Sequence, residues 1–269
     1  MNKNKASKIL LYIFSFMLFA PLSSFSKEAI NFNKIHIVDL THVFDASTIA
    51  WPTEKSGFEL KPSFKGITKS GFFYFSNTFC SPEHSGTHLD APMHFAQGHW
   101  TSSDIPVERF VGPAVVVDIS RQAARNVDYR LTREDLNNWE KTHGRVPKDA
   151  IFLLRTGWSQ KWPDRKAYLG DDTPGDVTKL HFPSFGSEVV SFLIQERGVR
   201  MIGVDTASID YGQSQDFIVH RLVGAANVPA LENLSDLEKL PATGATIFAL
   251  PMKIGQGSGA PTRVIAFYP

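Results

Sequence analysis

Residues 84–94 read His-Ser-Gly-Thr-His-Leu-Asp-Ala-Pro-Met-His, which sets three imidazoles and one carboxylate within eleven residues. A core segment gains nothing from such a density of metal-binding side chains, because a buried polar group costs free energy unless it is paired. The stretch reads as a metal site, and any fold the chain adopts must bring these side chains to one point. Gly86 disfavours a helix here, and Pro92, with no N–H to donate, biases Ala91 toward extended backbone. In an extended segment His88, Asp90 and His94 share a parity and face one side, while Gly86 permits the bend that returns His84 beside them.

Two imidazoles and a carboxylate on one face leave coordination positions open, and a divalent ion held there lowers the pKa of bound water from ~15.7 toward ~7. Imidazole and carboxylate suit zinc and manganese alike, so the identity of the ion stays open. Two roles are open to His94: general base and acid toward the attacking water, which is preferred, or ligand to a second ion bridged by Asp90. His220 and Glu232, on a later helix and strand, are the remaining candidates for a second ion. Each taken alone reads more simply as a packing histidine and a hydrogen-bonding glutamate.

The rest of the chain alternates strands and helices. Residues 35–40, 71–79, 114–119, 150–154, 199–205, 228–234, 246–250 and 264–267 read as strands, from alternation or from continuous apolar runs. A helix is expected to start at the capping box of Thr132 and stop at Gly144, and a second to run over 187–197 until Gly198. A short helix holding His220 is expected to be capped by Asp216. Residues 168–185, with their Gly, Asp and Pro, read as a lid-like excursion, and residues 255–259 as a flexible turn. One face of the aromatic run 71–79 is expected to pack in the core. Trp51, in a loop before Pro52, reads equally as packing or as an aromatic wall for a planar ligand. No linker or repeat divides residues 27–269, which read as one α/β domain with a mixed sheet.

The chain has 269 residues and is 42% hydrophobic, enough for one substantial core. Its formal charge of +1 gives no electrostatic case for nucleic acid or an acidic membrane surface, and fits a small neutral or weakly charged substrate. Lys3, Lys5 and Lys8 precede an apolar run from Ile9 to Leu22, followed by Ser24 and Ser26. That run is shorter than the roughly 20 residues of a spanning helix, so residues 1–26 read as a signal peptide. The mature chain is expected to be secreted or periplasmic, with no stable membrane insertion. Cys80 is the only cysteine, which rules out an intramolecular disulfide, and it is expected to be a small buried hydrophobe.

His84-Ser-Gly-Thr-His-Leu-Asp-Ala-Pro-Met-His94-Phe95 resembles the His-x-Gly-Thr-His-x-Asp-x-Pro-x-His signature of the cyclase-like metal hydrolases, the family of bacterial kynurenine formamidases and isatin hydrolases. The resemblance continues at residues 39–42, at Trp51-Pro52, and at 155–158, 205–210, 217–220 and 231–233. It implies a swivelling β/β/α fold in a homo-oligomer whose partner loops close the site. It implies His84, His88 and Asp90 as metal ligands, His94 as the proton-transfer residue, and Trp51 against an aryl substrate. In the formamidase branch Asp90 bridges to a second zinc held by His220 and Glu232. Trp51-Pro-Thr-Glu54 replaces the Trp-Pro-Gly-Asp of the formamidases. With the 168–185 excursion, this looks more like the longer isatin-hydrolase branch, where one manganese and a glutamine ligand, here Gln213 or Gln215, are expected. The implied activity is metal-dependent hydrolysis of a non-peptide C–N bond in an aryl formamide or a cyclic amide. Its rival is an exported metal- or ligand-binding protein that uses the same site without catalysis.

Overall fold

The computed structural model describes residues 34–269, so the expected signal peptide over 1–26 lies outside the described residues. Twelve strands follow in chain order: β1 (His36–Asp39), β2 (Glu59–Ile67), β3 (Phe73–Cys80), β4 (His88–Asp90), β5 (Val111–Asp118), β6 (Arg130–Leu131), β7 (Ile151–Arg155), β8 (Ser184–Phe185), β9 (Met201–Val204), β10 (Ala230–Glu232), β11 (Thr243–Pro251) and β12 (Gly259–Tyr268). The helices are α1 (Ser120–Ala123), α2 (Arg133–His143), α3 (Arg165–Leu169), α4 (Ser187–Phe192) and α5 (Ile218–Ala225). No described helix is long and apolar enough to cross a membrane.

Eight of the strands form one mixed sheet in the order β1-β12-β11-β5-β7-β9-β10-β4. Its centre, β5-β7-β9-β10, is parallel, which is why the sequence reads there as continuous apolar runs. Alternate side chains serve two cores. Val115, Val117, Phe152 and Leu154 meet Leu136 of α2, Val189 of α4 and Val219 of α5. Ala114, Val116, Ile151 and Leu153 face the other way, toward Leu89, Leu231, Ile247 and Val264. The sheet closes like a barrel, because β4 pairs antiparallel with β10 on one side and with residues 259–261 of β12 on the other. A three-residue strand thus seals the ring, and it carries two of the metal-binding candidates.

The helix expected from Thr132 forms as α2. The Thr132 hydroxyl accepts from the Asp135 N–H, the Asp135 carboxylate accepts from the Thr132 N–H, and Gly144 follows at the end. The 168–185 excursion is anchored at both ends: Tyr168, Leu169, Leu180 and Phe182 are buried with Ile49 and Trp158 in a third apolar cluster, and residues 170–179 between them form a largely exposed loop. Apolar side chains spaced along a polar segment supply that anchorage. Two expectations are corrected. The aromatic run enters a two-stranded hairpin, β2-β3, with exposed residues on both faces. Cys80, at the end of that hairpin, is exposed.

Candidate metal centre

The register of the closing strand assembles the site. Glu232 lies directly opposite His88, and Ala230 opposite Asp90. Leu89 and Leu231 point into the inner core, so His88, Asp90 and Glu232 face the outer side, where α5 supplies His220. His88 Nε2 is 3.2 Å from Asp90 Oδ1 and 3.5 Å from Glu232 Oε2. His220 Nε2 is 3.3 Å from Asp90 Oδ2 and 3.1 Å from Glu232 Oε1. His84 returns as the sequence predicts, with Nδ1 2.6 Å from Asp90 Oδ1. The bend sits at Gly86, with φ +56°, where a Cβ would lie 2.7 Å from the Phe44 ring. Only glycine meets both demands.

Asp90 therefore stands between two triplets, His84/His88/Asp90 and Asp90/His220/Glu232, within each of which the ligand atoms lie within 4.8 Å of one another. His88 Nε2 and Asp90 Oδ2 are buried without a hydrogen-bond partner. Such orphaned atoms are costly, and a divalent cation between them satisfies both; nitrogen and oxygen donors of this kind suit one. Gln213 does not join the set: its amide lies 3.1 Å from His181 Nε2. Gln215 is exposed, and neither glutamine lines the cavity over the ligands.

Hydrogen bonds decide which ring nitrogen each histidine offers. His88 Nδ1–H donates to the Gly86 carbonyl at 2.9 Å, and the Asn233 amide donates to the same oxygen at 2.8 Å. His220 Nδ1–H donates to Asp210 Oδ2 at 2.7 Å. Both leave Nε2 facing the carboxylates. Asp210 also accepts from the backbone N–H groups of Val219 at 3.0 Å and His220 at 3.1 Å. It thereby takes the role expected of Asp216, which accepts from the Ile218 N–H and the Ser214 hydroxyl, each at 3.3 Å. Glu232 Oε1 is held by the Ile209 N–H at 2.8 Å.

The electrostatics follow from packing two carboxylates and two imidazoles away from water. Burial works against a charge on His88, but Asp90 and Glu232 beside it override burial and raise its pKa to about 9. His220 is likewise raised against burial, by Asp210, Asp90 and Glu232. Burial pushes Asp90 up, yet the surrounding imidazoles hold it well below the usual carboxylate range. Glu232 is raised, by burial and then by the Asp90 charge. The cluster calls for positive charge at its centre.

His94 arrives by a different route from the one its parity suggested. The extended backbone ends at Ala91, and Pro92–His94 is a 3-10 turn that lays the His94 ring on His84, with centroids 3.8 Å apart and planes 18° from parallel. Burial lowers the His94 pKa to about 4, with Asp90 opposing and the neighbouring histidines assisting. At neutral pH His94 is an uncharged base on the wall of the site.

Above the ligands is a cavity of about 230 Å³, lined by Trp51, Phe95, Phe217 and Ile49 as well as by His94 and the five ligand candidates. Trp51 stands edge-on to Phe217, with centroids 6.4 Å apart at 62°, and is backed by Phe182 at 6.5 Å and 77°. No lysine or arginine is among the lining residues. The structure thus gathers Trp51, His84, His88, Asp90, His94, His220 and Glu232 around one cavity and leaves Gln213 and Gln215 outside it. Phe95, Phe217 and Asp210 were missed as participants, although each lies in or beside a stretch that carries the resemblance.

The Cyclase family model matches residues 38–211. An isatin hydrolase of Roseibium aggregatum is 30% identical over 249 residues, covering 88% of this chain and 93% of its own. A kynurenine formamidase of Salinibacter ruber is 29% identical over 184 residues, covering 68% and 74%. Among solved structures, isatin hydrolase A from Ralstonia solanacearum matches with a TM-score of 0.79 at 37% identity, over 88% of this chain and 93% of that one. An isatin hydrolase bound to the product analogue thioisatinate matches with a TM-score of 0.79 at 29% identity, over 88% and 94%.

Proposed function

The chain belongs to the Cyclase family, and from that premise we propose that it is a metal-dependent hydrolase of a non-peptide carbon–nitrogen bond in a cyclic amide of the isatin type, with aryl formamides as the second substrate class. The observation that carries this reading is the pair of ligand triplets sharing Asp90 at the floor of an aromatic-walled cavity, with the uncharged His94 beside them. Isatin hydrolase A is 37% identical to the chain, against 28% and 29% for kynurenine formamidases that match over 85% and 68% of it, which puts the cyclic amide first.

His84, His88 and Asp90 are the residues that would hold one ion, and Asp90, His220 and Glu232 frame a position for a second, zinc or manganese in either case. Bound there, a divalent ion supplies Lewis acidity, which acidifies water and offsets the negative charge that develops on the amide oxygen. Trp51 and Phe217 hold a planar ring edgewise and exclude water from it. The free nitrogen of His94 accepts a proton from the attacking water. His94 returns that proton to the leaving nitrogen as the carbon–nitrogen bond breaks, and the carboxylic acid that forms loses its remaining proton to solvent. With no lysine or arginine lining the cavity, orientation rests on ring packing and on the ligand cluster.

Turnover of isatin and of N-formylkynurenine, measured on protein of known metal content, tests the reading. Isatin ring opening, with slower or no deformylation, is expected. Bound metal with no turnover of either substrate, or of a wider amide and lactone panel, would favour a binding protein instead.

Two further parts of the proposal concern assembly and location. The hairpin β2-β3 exposes Ile67 at 66%, Phe73 at 60% and Phe72 at 58%, a patch of the kind that self-association covers, so copies of the chain are proposed to associate through it. Export is proposed on the pattern of residues 1–26, and the N-terminal sequence of the mature protein checks it.

A further inference from the structure

The loop that enters β12 lies against the back of His84. Ser258 Oγ is 2.8 Å from His84 Nε2 and 2.7 Å from Glu83 Oε2, and the Ser258 backbone N–H donates to the same Glu83 oxygen at 3.0 Å. A carboxylate only accepts, so the hydroxyl proton is committed to Glu83 and the hydroxyl lone pair faces the ring. Ser258 therefore accepts from His84 Nε2–H. A neutral imidazole carries one N–H, so with that proton on Nε2 the Nδ1 lone pair faces Asp90 Oδ1 at 2.6 Å, an approach of two acceptors that calls for a cation beside them.

The loop is built for that contact and is not the flexible turn its glycines suggest. Its backbone is tied by Ser102 N–H to the Gly257 carbonyl at 2.8 Å and by Ala91 N–H to the Ser258 carbonyl at 2.9 Å. A Cβ on Gly259 would stand 2.5 Å from His84 Cε1 and 2.7 Å from the Leu89 carbonyl oxygen. The backbone presses on the imidazole as closely as a residue without a side chain allows.

We propose that Glu83 and Ser258 are positioning residues of the metal centre, which select the Nε2–H tautomer of His84 and so present its Nδ1 to the ion. The inference rests on the metal-centre reading above. It also separates His84 from His88 and His220, whose Nδ1–H groups are spent on Gly86 and Asp210 and whose Nε2 atoms face the ion. Asp90, His84 and Ser258 fall in the order of a serine-hydrolase triad, but a nucleophilic serine donates its proton to the histidine. Here that proton is directed at Glu83, and Ser258 does not line the cavity.

The test is a titration of the chelator-stripped full chain with Zn2+, and separately with Mn2+, against a chromophoric competitor. Loss of an outer partner of a ligating histidine typically weakens metal binding roughly 10- to 100-fold, and that loss is expected for Ser258→Ala. Ser258→Thr, which keeps the hydroxyl, restores most of the affinity, and Glu83→Gln falls between. Thermal melts of the stripped variants keep folding separate from binding; where Ser258→Ala does not fold, Glu83→Gln carries the same readout. A fluorophosphonate probe is expected to leave Ser258 unlabelled. Parental affinity in Ser258→Ala, a folded Ser258→Thr as weak as Ser258→Ala, or labelling of Ser258 would each overturn the proposal. The titration contains no substrate, so tight parental binding without turnover removes the proposed reaction and leaves the positioning role standing. A parental chain that takes up no ion removes the metal centre itself.

Discussion

β4 is buried along its whole length although two of its three side chains ionise, whereas the nine- and eight-residue strands of the β2-β3 hairpin carry leucine, isoleucine, phenylalanine and tyrosine into solvent. Each region inverts the ordinary placement, and each inversion leaves a different deficit. Charges withdrawn from water need opposite charge close by, and apolar side chains left in water need a covering surface. A divalent ion would meet the first deficit, and that need points to the proposed chemistry. The second marks the surface through which copies of the chain are proposed to associate.

The largest expected effect comes from breaking the shared residue of the buried side. Asp90→Ala removes a ligand atom from both triplets and leaves His88, His220 and Glu232 unbalanced. Removing one partner of a buried pair costs about 3–5 kcal/mol, and elemental analysis is expected to find no retained ion and no turnover. Next, His94→Ala is expected to keep the ion and lower kcat by about 10²–10⁴-fold. A variant that retains parental turnover assigns the proton transfer elsewhere. In the parent, burial lowers the His94 pKa to about 4, so protonation of this base is not expected to limit kcat/KM above about pH 5.

A smaller effect separates the metal-free from the loaded protein. Without an ion, the charge on His88 balances Asp90, and its pKa is raised from 6.5 to about 9. The stabilisation this brings is fully present below about pH 6.5 and is lost as pH rises through about 9. Its size is on the order of 3 kcal/mol. Chemical denaturation of stripped protein between pH 6 and 10 is expected to show that decline, and protein carrying the ion is expected not to. The smallest effect on folding belongs to the hairpin. Phe73→Ser with Phe75→Ser is expected to change monomer stability by no more than about 0.5 kcal/mol per site, as at other surface positions. Metal content should not change, while sedimentation velocity shifts toward the monomer.

How much of this was legible in the sequence depends on the range of the interaction concerned. α2 could be read outright, since the reciprocal bonds between Thr132 and Asp135 span three residues. His84, His88, Asp90 and His94 could be read because they are crowded into one short stretch. His220 and Glu232 needed the resemblance, since neither is distinctive until strand pairing sets Glu232 opposite His88. Ser258 could not be read: it meets His84 across 174 positions, through closure of the barrel. The hairpin misled for a physical reason, because an aromatic strand has the same pattern whether the surface that covers it belongs to its own core or to another chain. Within 168–185 only the burial of the two ends went unread, because Tyr168, Leu180 and Phe182 flank turn-forming residues that dominate the local composition.

The central claim is that the buried carboxylates and imidazoles hold a divalent ion on which hydrolysis depends. Its most direct test is isatin turnover by the full chain stripped with a chelator and then reloaded stepwise with Mn2+ or Zn2+. The account predicts no ring opening in the stripped protein and recovery in proportion to the ion taken up; ring opening by the stripped protein at the rate of the loaded one would contradict it.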